Sequence, residues 1–193
     1  MTAAAQLTRR GFLQGAMGAL TLAVTAKGWI TTATAAEAAA PKYGADGMPG
    51  GTVDDPLVFV SIAAGGTVTI VAHRAEMGTG VRTSLPMVVA DEMEARWDRV
   101  TVIQAPADET RYGNQNVDGS RSMRHFLMPM RRVGAAARQM LEAAAAARWS
   151  VPVSEVKADQ HEVLHPPTGR RLTYGELAAD AAKLPVPTGD AIK

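Results

Sequence analysis

Leu57-Val58-Phe59-Val60-Ser61-Ile62-Ala63-Ala64-Gly65-Gly66-Thr67-Val68-Thr69-Ile70-Val71-Ala72 reads as a β-hairpin. Val58, Val60 and Ile62 share one face of the first run, and Val68, Ile70 and Ala72 share one face of the second, the period-two alternation of half-buried strands. The Gly65-Gly66 pair between them suits a tight turn that needs positive φ. Downstream, Leu85, Val88, Val89, Met93 and Trp97 recur at helical spacing and predict an amphipathic helix over about 83–97, with Pro86 in its first turn. Arg99 to Ala105 alternates again through Val100 and Val102 and predicts a third strand. Leu127, Met130, Val133, Ala137, Met140, Leu141 and Ala144 predict a long helix ending near Trp149, which starts at Pro129 or, kinked by that proline, nearer Ser122. After Pro152 come a short strand, a turn at Pro167-Thr168-Gly169 and a last helix opened by the capping box Thr173-Tyr174-Gly175-Glu176. The order β-β-α-β-α with a small appended unit is an α+β class: a short mixed sheet with helices packed on one face.

Upstream of the hairpin, Thr8-Arg9-Arg10-Gly11-Phe12-Leu13-Gln14 sets a paired arginine before a mildly apolar run to Ala26. That run is too short and too diluted by Gly and Thr to span a bilayer as a stable helix. Ala33-Thr34-Ala35 fits a signal-peptidase site, so residues 1–35 read as a twin-arginine export signal carried by Arg9 and Arg10. Its translocase accepts folded proteins, and the expected destination is the periplasm. Residues 36–56, rich in Ala, Gly and Pro, read as a linker.

Cleavage near Ala35 leaves about 158 residues, enough to bury one real core. The signal holds Arg9, Arg10 and Lys27, which leaves 17 basic side chains of the chain's 20 against 19 acidic ones. That balance gives no electrostatic reason for nucleic-acid binding. Cysteine is absent, which excludes disulfides, thiolate catalysis and iron–sulfur ligation by this chain. His161 and His165 are four apart, but Pro166 and Pro167 argue against a helical metal pair. No pair of acids stands out for acid–base work, so no catalytic residue is assigned.

Two segments behave neither as core nor as ordinary surface. Glu76-Met77-Gly78-Thr79-Gly80 lies between a strand and a helix. Its glycines allow close approach of a ligand, and the helix start offers N–H groups to an anion. Gly119-Ser120-Arg121-Ser122, at the end of the polar stretch 106–122, gathers hydroxyls and a guanidinium ahead of the long helix, a set suited to phosphate.

Several stretches, in this order, resemble the molybdopterin-binding large subunits of xanthine dehydrogenase-like molybdenum hydroxylases, in the isoquinoline 1-oxidoreductase and aldehyde dehydrogenase branch. They are Leu57 to Ile62 with Gly66 to Ile70, Glu76 to Val81, Gly119 to Ser122, Arg132-Val133-Gly134-Ala135-Ala136-Ala137-Arg138, Trp149-Ser150-Val151-Pro152 and Gly169 to Ala178. The resemblance implies that 57–150 is part of the molybdenum-cofactor-binding domain of a larger subunit, and that 151–193 is a small appended unit with the start of an inter-domain connection. Such enzymes oxidise aldehydes or N-heteroaromatics with water as oxygen source. Glu76, Met77, Gly78, Thr79 and Gly80 would then line the cofactor, and Gly119, Ser120, Arg121 and Ser122 would hold the pterin or its phosphates.

The same resemblance implies a cytosine dinucleotide form of molybdopterin and electron transfer to a small [2Fe-2S] subunit. The remainder of the large subunit, a cytochrome c subunit and the twin-arginine translocase are further implied partners, with association to the inner membrane through them. Relatives often carry Gln at the place of Thr79, where the amide reaches toward the metal. Their catalytic Glu lies near the C-terminus in a Gly-rich segment with no counterpart here, so the chain reads as the N-terminal portion of such a subunit, inactive alone. The other reading of the residues is a periplasmic domain binding an anion or a partner without redox activity.

Overall fold

The structure, a computed structural model, describes Leu22–Val24, Ile30–Thr32, Met48 and residues 50–192. Arg9, Arg10 and the Ala33-Thr34-Ala35 cleavage motif lie outside the described residues. The chain divides into two units, Met1–Gly47 and Met48–Lys193. In the first, β1 (Leu22–Val24) pairs antiparallel with β2 (Ile30–Thr32), with Ala23 opposite Thr31.

The second unit is the α+β body. Residues 48–56 are part of it and not only a linker: Met48 is buried, Thr52 bridges Gly113, and the Asn114 N–H donates to the Gly51 carbonyl at 2.8 Å. The expected strand over 57–63 starts as a helix. Asp55 caps it by accepting the Leu57 N–H at 2.8 Å, and Pro56 occupies its first position, so α1 (Pro56–Phe59) turns Phe59 into the core before β3 (Val60–Ile62) begins. Local cap chemistry here overrides alternation.

β3 pairs antiparallel with β4 (Val68–Ala72), Val60 opposite Ile70, across the expected Gly65-Gly66 turn, in which Gly66 has φ +87°. α2 (Val81–Glu92) crosses over to β5 (Val100–Gln104), which runs parallel to β4 with Ile70 opposite Val102. The sheet order β3-β4-β5 is mixed, as expected. Val68, Ile70 and Ala72 point inward, the strand packs against α2 and α1, and α2 packs in turn on α4 (Arg121–Trp149). α2 stops five residues before Trp97 because Glu94 adopts φ +55°, and Trp97 is left 41 % exposed in a 3₁₀ turn instead of on the buried stripe. The polar stretch 106–122 contains one further short helix, α3 (Glu109–Tyr112), capped by Asp108.

α4 starts at the earlier of its two possible positions and carries Pro129 inside. Phe126, Met130, Val133, Ala137, Met140 and Leu141 form its inner stripe, with Phe126 in the place expected for Leu127, which is exposed, and Gly134, Ala135, Ala136, Ala145 and Ala146 are buried as well. A helix buried so widely needs neighbours on more than one side. α2 supplies one, and the C-terminal segment supplies the other. That segment is not one strand but an antiparallel meander of β6 (Lys157–Asp159), β7 (Glu162–His165) and β8 (Arg170–Thr173), followed by α5 (Tyr174–Ala181) with its capping box formed. Gln160 and His161 make the β6–β7 turn at φ +50° and +74°. Neither is a residue type that announces such a turn, so the sequence carries no signal for it. Contacts hold His161 there: its N–H donates to the Glu94 carbonyl at 2.7 Å, its Nε2 meets the Gly66 carbonyl at 2.6 Å, and its ring stacks on Tyr174.

Candidate cofactor site

β4 ends on the inward-facing Ala72, where the alternation stops: His73 and Arg74 after it are both 1 % exposed. The chain then leaves the sheet through Glu76-Met77-Gly78-Thr79-Gly80 and enters α2. Gly78 (φ +91°) and Gly80 (φ +76°) lie in the left-handed region, yet a Cβ at either would meet no atom within 4 Å. Backbone conformation, not space, therefore requires glycine at both.

α2 has no side-chain cap from its own N-cap residue, Gly80. The Glu76 carboxylate takes that place, accepting the N–H groups of Gly80 at 2.9 Å and Arg82 at 3.2 Å. Those two donors hold its pKa below the usual carboxylate range. The expectation that this helix start offers its N–H groups to an external anion is thereby corrected: the chain's own carboxylate occupies two of them.

The start of α4 differs. Ser120, its N-cap residue, sits at φ +54° and makes no side-chain cap. A left-handed non-glycine residue costs on the order of 1 kcal/mol. Together with Gly119 at φ +51° it turns the chain so that 117–123 face the 76–81 segment. Between them lies a cavity of about 440 Å³. Met77, Thr79 and Val81 line one side, and Val117 to Met123, including Gly119, Ser120, Arg121 and Ser122, line the other. The two segments singled out in the sequence thus meet, although Glu76, Gly78 and Gly80 shape the wall without lining it.

Behind the wall, the Arg74 guanidinium donates from Nε to Ser122 Oγ at 3.1 Å and from Nη1 to the Asn114 carbonyl at 2.6 Å and Asn114 Oδ1 at 2.7 Å. Nη2 donates to the Asn116 carbonyl, and the group lies over the Phe126 ring. Burial lowers its pKa, while Asp118 and Glu109 act through space in the opposite direction. Next to it, His73 packs edge-on between Phe59 and Phe126 with no hydrogen-bond partner for its Nε2. Burial first, and the Arg74 charge second, push the His73 pKa down to about 3, which keeps the ring neutral. Sequence reasoning missed Arg74, His73 and Asn114.

Met77, Val81, Val117 and Met123 give the cavity an apolar side, and the hydroxyls of Ser120 and Ser122 and the first turn of α4, which has no side-chain cap, give it a donor side; Asp118 lines the same side, its carbonyl accepting the Arg121 N–H at 3.0 Å and its carboxylate lying 3.8 Å from the Arg121 guanidinium. A flat heterocycle ending in an anionic group fits both sides. Among the described residues no cluster of three or more His, Cys, Asp or Glu could hold a metal ion. Among the same residues no helix is long and apolar enough to cross a membrane.

A mixed sheet whose strand-to-helix connection faces the start of a second helix across such a cavity makes this an α+β domain with room for a small ligand between the two segments. Residues 20–191 match the model of the molybdopterin cofactor-binding domain, and the chain belongs to that family. It is 39 % identical over 180 residues to isoquinoline 1-oxidoreductase subunit beta of Brevundimonas diminuta, covering 90 % of this chain and 22 % of that protein. It is 30 % identical over 177 residues to the membrane-bound aldehyde dehydrogenase [pyrroloquinoline-quinone] of Gluconacetobacter polyoxogenes, covering 91 % of this chain and 21 % of that protein. The chain therefore spans about a fifth of the length of these curated relatives. Quinoline 2-oxidoreductase from Pseudomonas putida 86 shares the fold, with a TM-score of 0.51 at 20 % identity over 69 % of this chain and 17 % of that one.

Proposed function

We propose that this chain forms one wall of the cofactor site in the large subunit of an exported molybdenum hydroxylase that oxidises aldehydes or N-heteroaromatics. The observation that carries the reading is the cavity itself, in which the 76–81 segment faces Gly119, Ser120, Arg121 and Ser122. Family membership and the oxidoreductase relatives support it. Bound molybdopterin would supply a dithiolene-held molybdenum centre for oxidation with water as the oxygen source.

This chain's residues bind and orient. Ser120, Ser122 and Arg121 hold the phosphate end, and the positive end of the α4 dipole favours that charge. Met77, Val81 and Met123 pack the apolar body and keep water from it. Thr79 has a side chain too short to take the role of the Gln of its relatives and contributes through its backbone. Glu76 holds the start of α2 in place, and Gly78 and Gly80 shape the turn. The cofactor in the cytosine dinucleotide form, a small [2Fe-2S] subunit and a cytochrome c subunit as electron acceptors, and the rest of the large subunit complete the proposed assembly. Arg9 and Arg10 direct it to the periplasm through the twin-arginine translocase.

The test is to express the complete protein with its signal and partner subunits and to measure molybdenum and pterin per protein. Near one equivalent of each, lost on Ser120→Trp, is the expected result. A periplasmic product free of both sinks the cofactor reading and leaves an anion- or partner-binding domain without redox activity. Export is checked separately with Arg9→Lys plus Arg10→Lys, which should hold the protein in the cytoplasm.

A further inference from the structure

Arg74 is the bulkiest of the fully buried side chains, and every hydrogen bond it makes goes to the far wall of the cavity or to the loop leading into it. Asn114 and Asn116 offer backbone carbonyls, Asn114 adds its side-chain oxygen, and Ser122 adds a hydroxyl. Asn114 is buried, so its carbonyl needs a donor, while Asn116 is exposed; neither helix nor sheet supplies donors to residues 114–116. We propose that Arg74 is the positioning residue of the cofactor wall, a guanidinium that holds residues 114–122 from behind in the shape the cavity requires. The proposal rests on the reading of that cavity as the cofactor site.

The chemistry favours arginine specifically. A guanidinium is flat and presents five donors in fixed directions, so one group spans acceptors in separate parts of the loop while its face rests on Phe126. A lysine ammonium keeps the charge but cannot reach these acceptors together. Ser120 is held in the left-handed region just beyond the loop, and the bond from Arg74 to Ser122 fixes the first turn of α4 directly after it. Losing the guanidinium would release the loop and the donor side of the cavity while leaving the apolar core around Met130 and Met140 in place.

The experiment uses the complete enzyme with its partner subunits and compares Arg74→Lys, Arg74→Met, Asn114→Ala and Ser120→Trp. Hydrogen exchange over 113–122 is read against 133–149, and pterin and molybdenum are measured in the same samples. Arg74→Lys and Arg74→Met should speed exchange in 113–122 by about tenfold or more, leave 133–149 unchanged and lower pterin content several-fold. Asn114→Ala should do the same to a smaller degree. Ser120→Trp should lose pterin with the loop still protected.

Wild-type exchange over 113–122 in Arg74→Lys, or a loosened loop that keeps its full pterin, overturns the proposal. If neither Arg74 variant accumulates, Asn114→Ala decides on the same two readouts. If Ser120→Trp keeps its pterin, the cofactor reading of the cavity falls, and the exchange data still judge Arg74 as the organiser of the loop.

Discussion

Gly134 of α4 lies directly against the backbone of Val89 in α2: a Cβ at position 134 would come within 2.5 Å of the Val89 carbonyl oxygen and 2.7 Å of Glu92 Cβ. Glycine inside a helix costs about 1 kcal/mol relative to alanine, so its presence here reflects the close crossing of the two helices.

Gly134→Ala should therefore destabilise by about 1–3 kcal/mol net, because the obstruction is backbone that cannot rotate away. Thermal unfolding checks this. An unchanged or higher midpoint would show that α2 and α4 separate freely and that helix propensity wins.

Glu76→Gln should lower the unfolding midpoint at neutral pH, since a neutral amide caps the α2 N–H groups less well than a carboxylate. The sign with pH follows from the depressed pKa of Glu76. Its stabilisation is present above the unfolded carboxyl value of about 4.3 and is lost as the pH falls through the lower folded value. The difference between wild type and variant should close across that window. A constant difference down to pH 2.5 would point to packing instead of charge.

His73 has the opposite chemistry and a similar direction. Its folded pKa near 3 lies below the unfolded value of about 6.5, so the unfolded chain takes up the proton first on acidification. Stability should fall by roughly 2 kcal/mol between pH 7 and pH 5 from this residue alone and stop falling below about pH 3. His73→Phe, flanked as it would be by Phe59 and Phe126, should remove that part of the slope. An equal fall in unfolding free energy from pH 7 to pH 5 in wild type and variant would refute the assignment.

Tyr174→Phe tests the join between the C-terminal meander and the main body. The Tyr174 hydroxyl donates to the Met93 carbonyl in a fully buried setting, where desolvation raises its pKa and keeps it protonated. Removing it leaves that acceptor without its donor and should cost about 1–2 kcal/mol. The midpoint in urea should shift with the slope unchanged, and a shift near zero would mean that water replaces the hydroxyl.

Several elements were legible because their signals lie within a few neighbouring residues. The Gly65-Gly66 turn, the stripe from Met130 to Ala144 and the Thr173–Glu176 capping box all formed as their chemistry dictates, whereas Leu127 faces outward and Phe126 takes its place in the core. The mixed α+β sheet followed from the alternation at Val68 to Ala72 and at Val100 to Val102. At α1 the alternation misled, because Asp55 and Pro56 favour a helical turn before the strand. At Gln160 and His161 no turn signal exists, and contacts from Glu94, Gly66 and Tyr174 hold the backbone there. The two site segments stood out by composition, but nothing local showed that Glu76 would cap α2 while Ser120 left α4 uncapped.

By itself the sequence determined the class of fold, the inward faces at Val68 to Ala72 and Met130 to Ala144, the absence of cysteine and the two segments that behave neither as core nor as ordinary surface. These depend on period, cap and turn chemistry, which act over a few residues. Only the tertiary structure decided that Arg74 reaches Asn114 and Ser122 across separations of 40 and 48 residues, and that 76–81 and 117–123 close on one cavity. Contacts of that range exist only after β5 has paired parallel to β4 and α4 has packed across α2, so no stretch of chain encodes them alone.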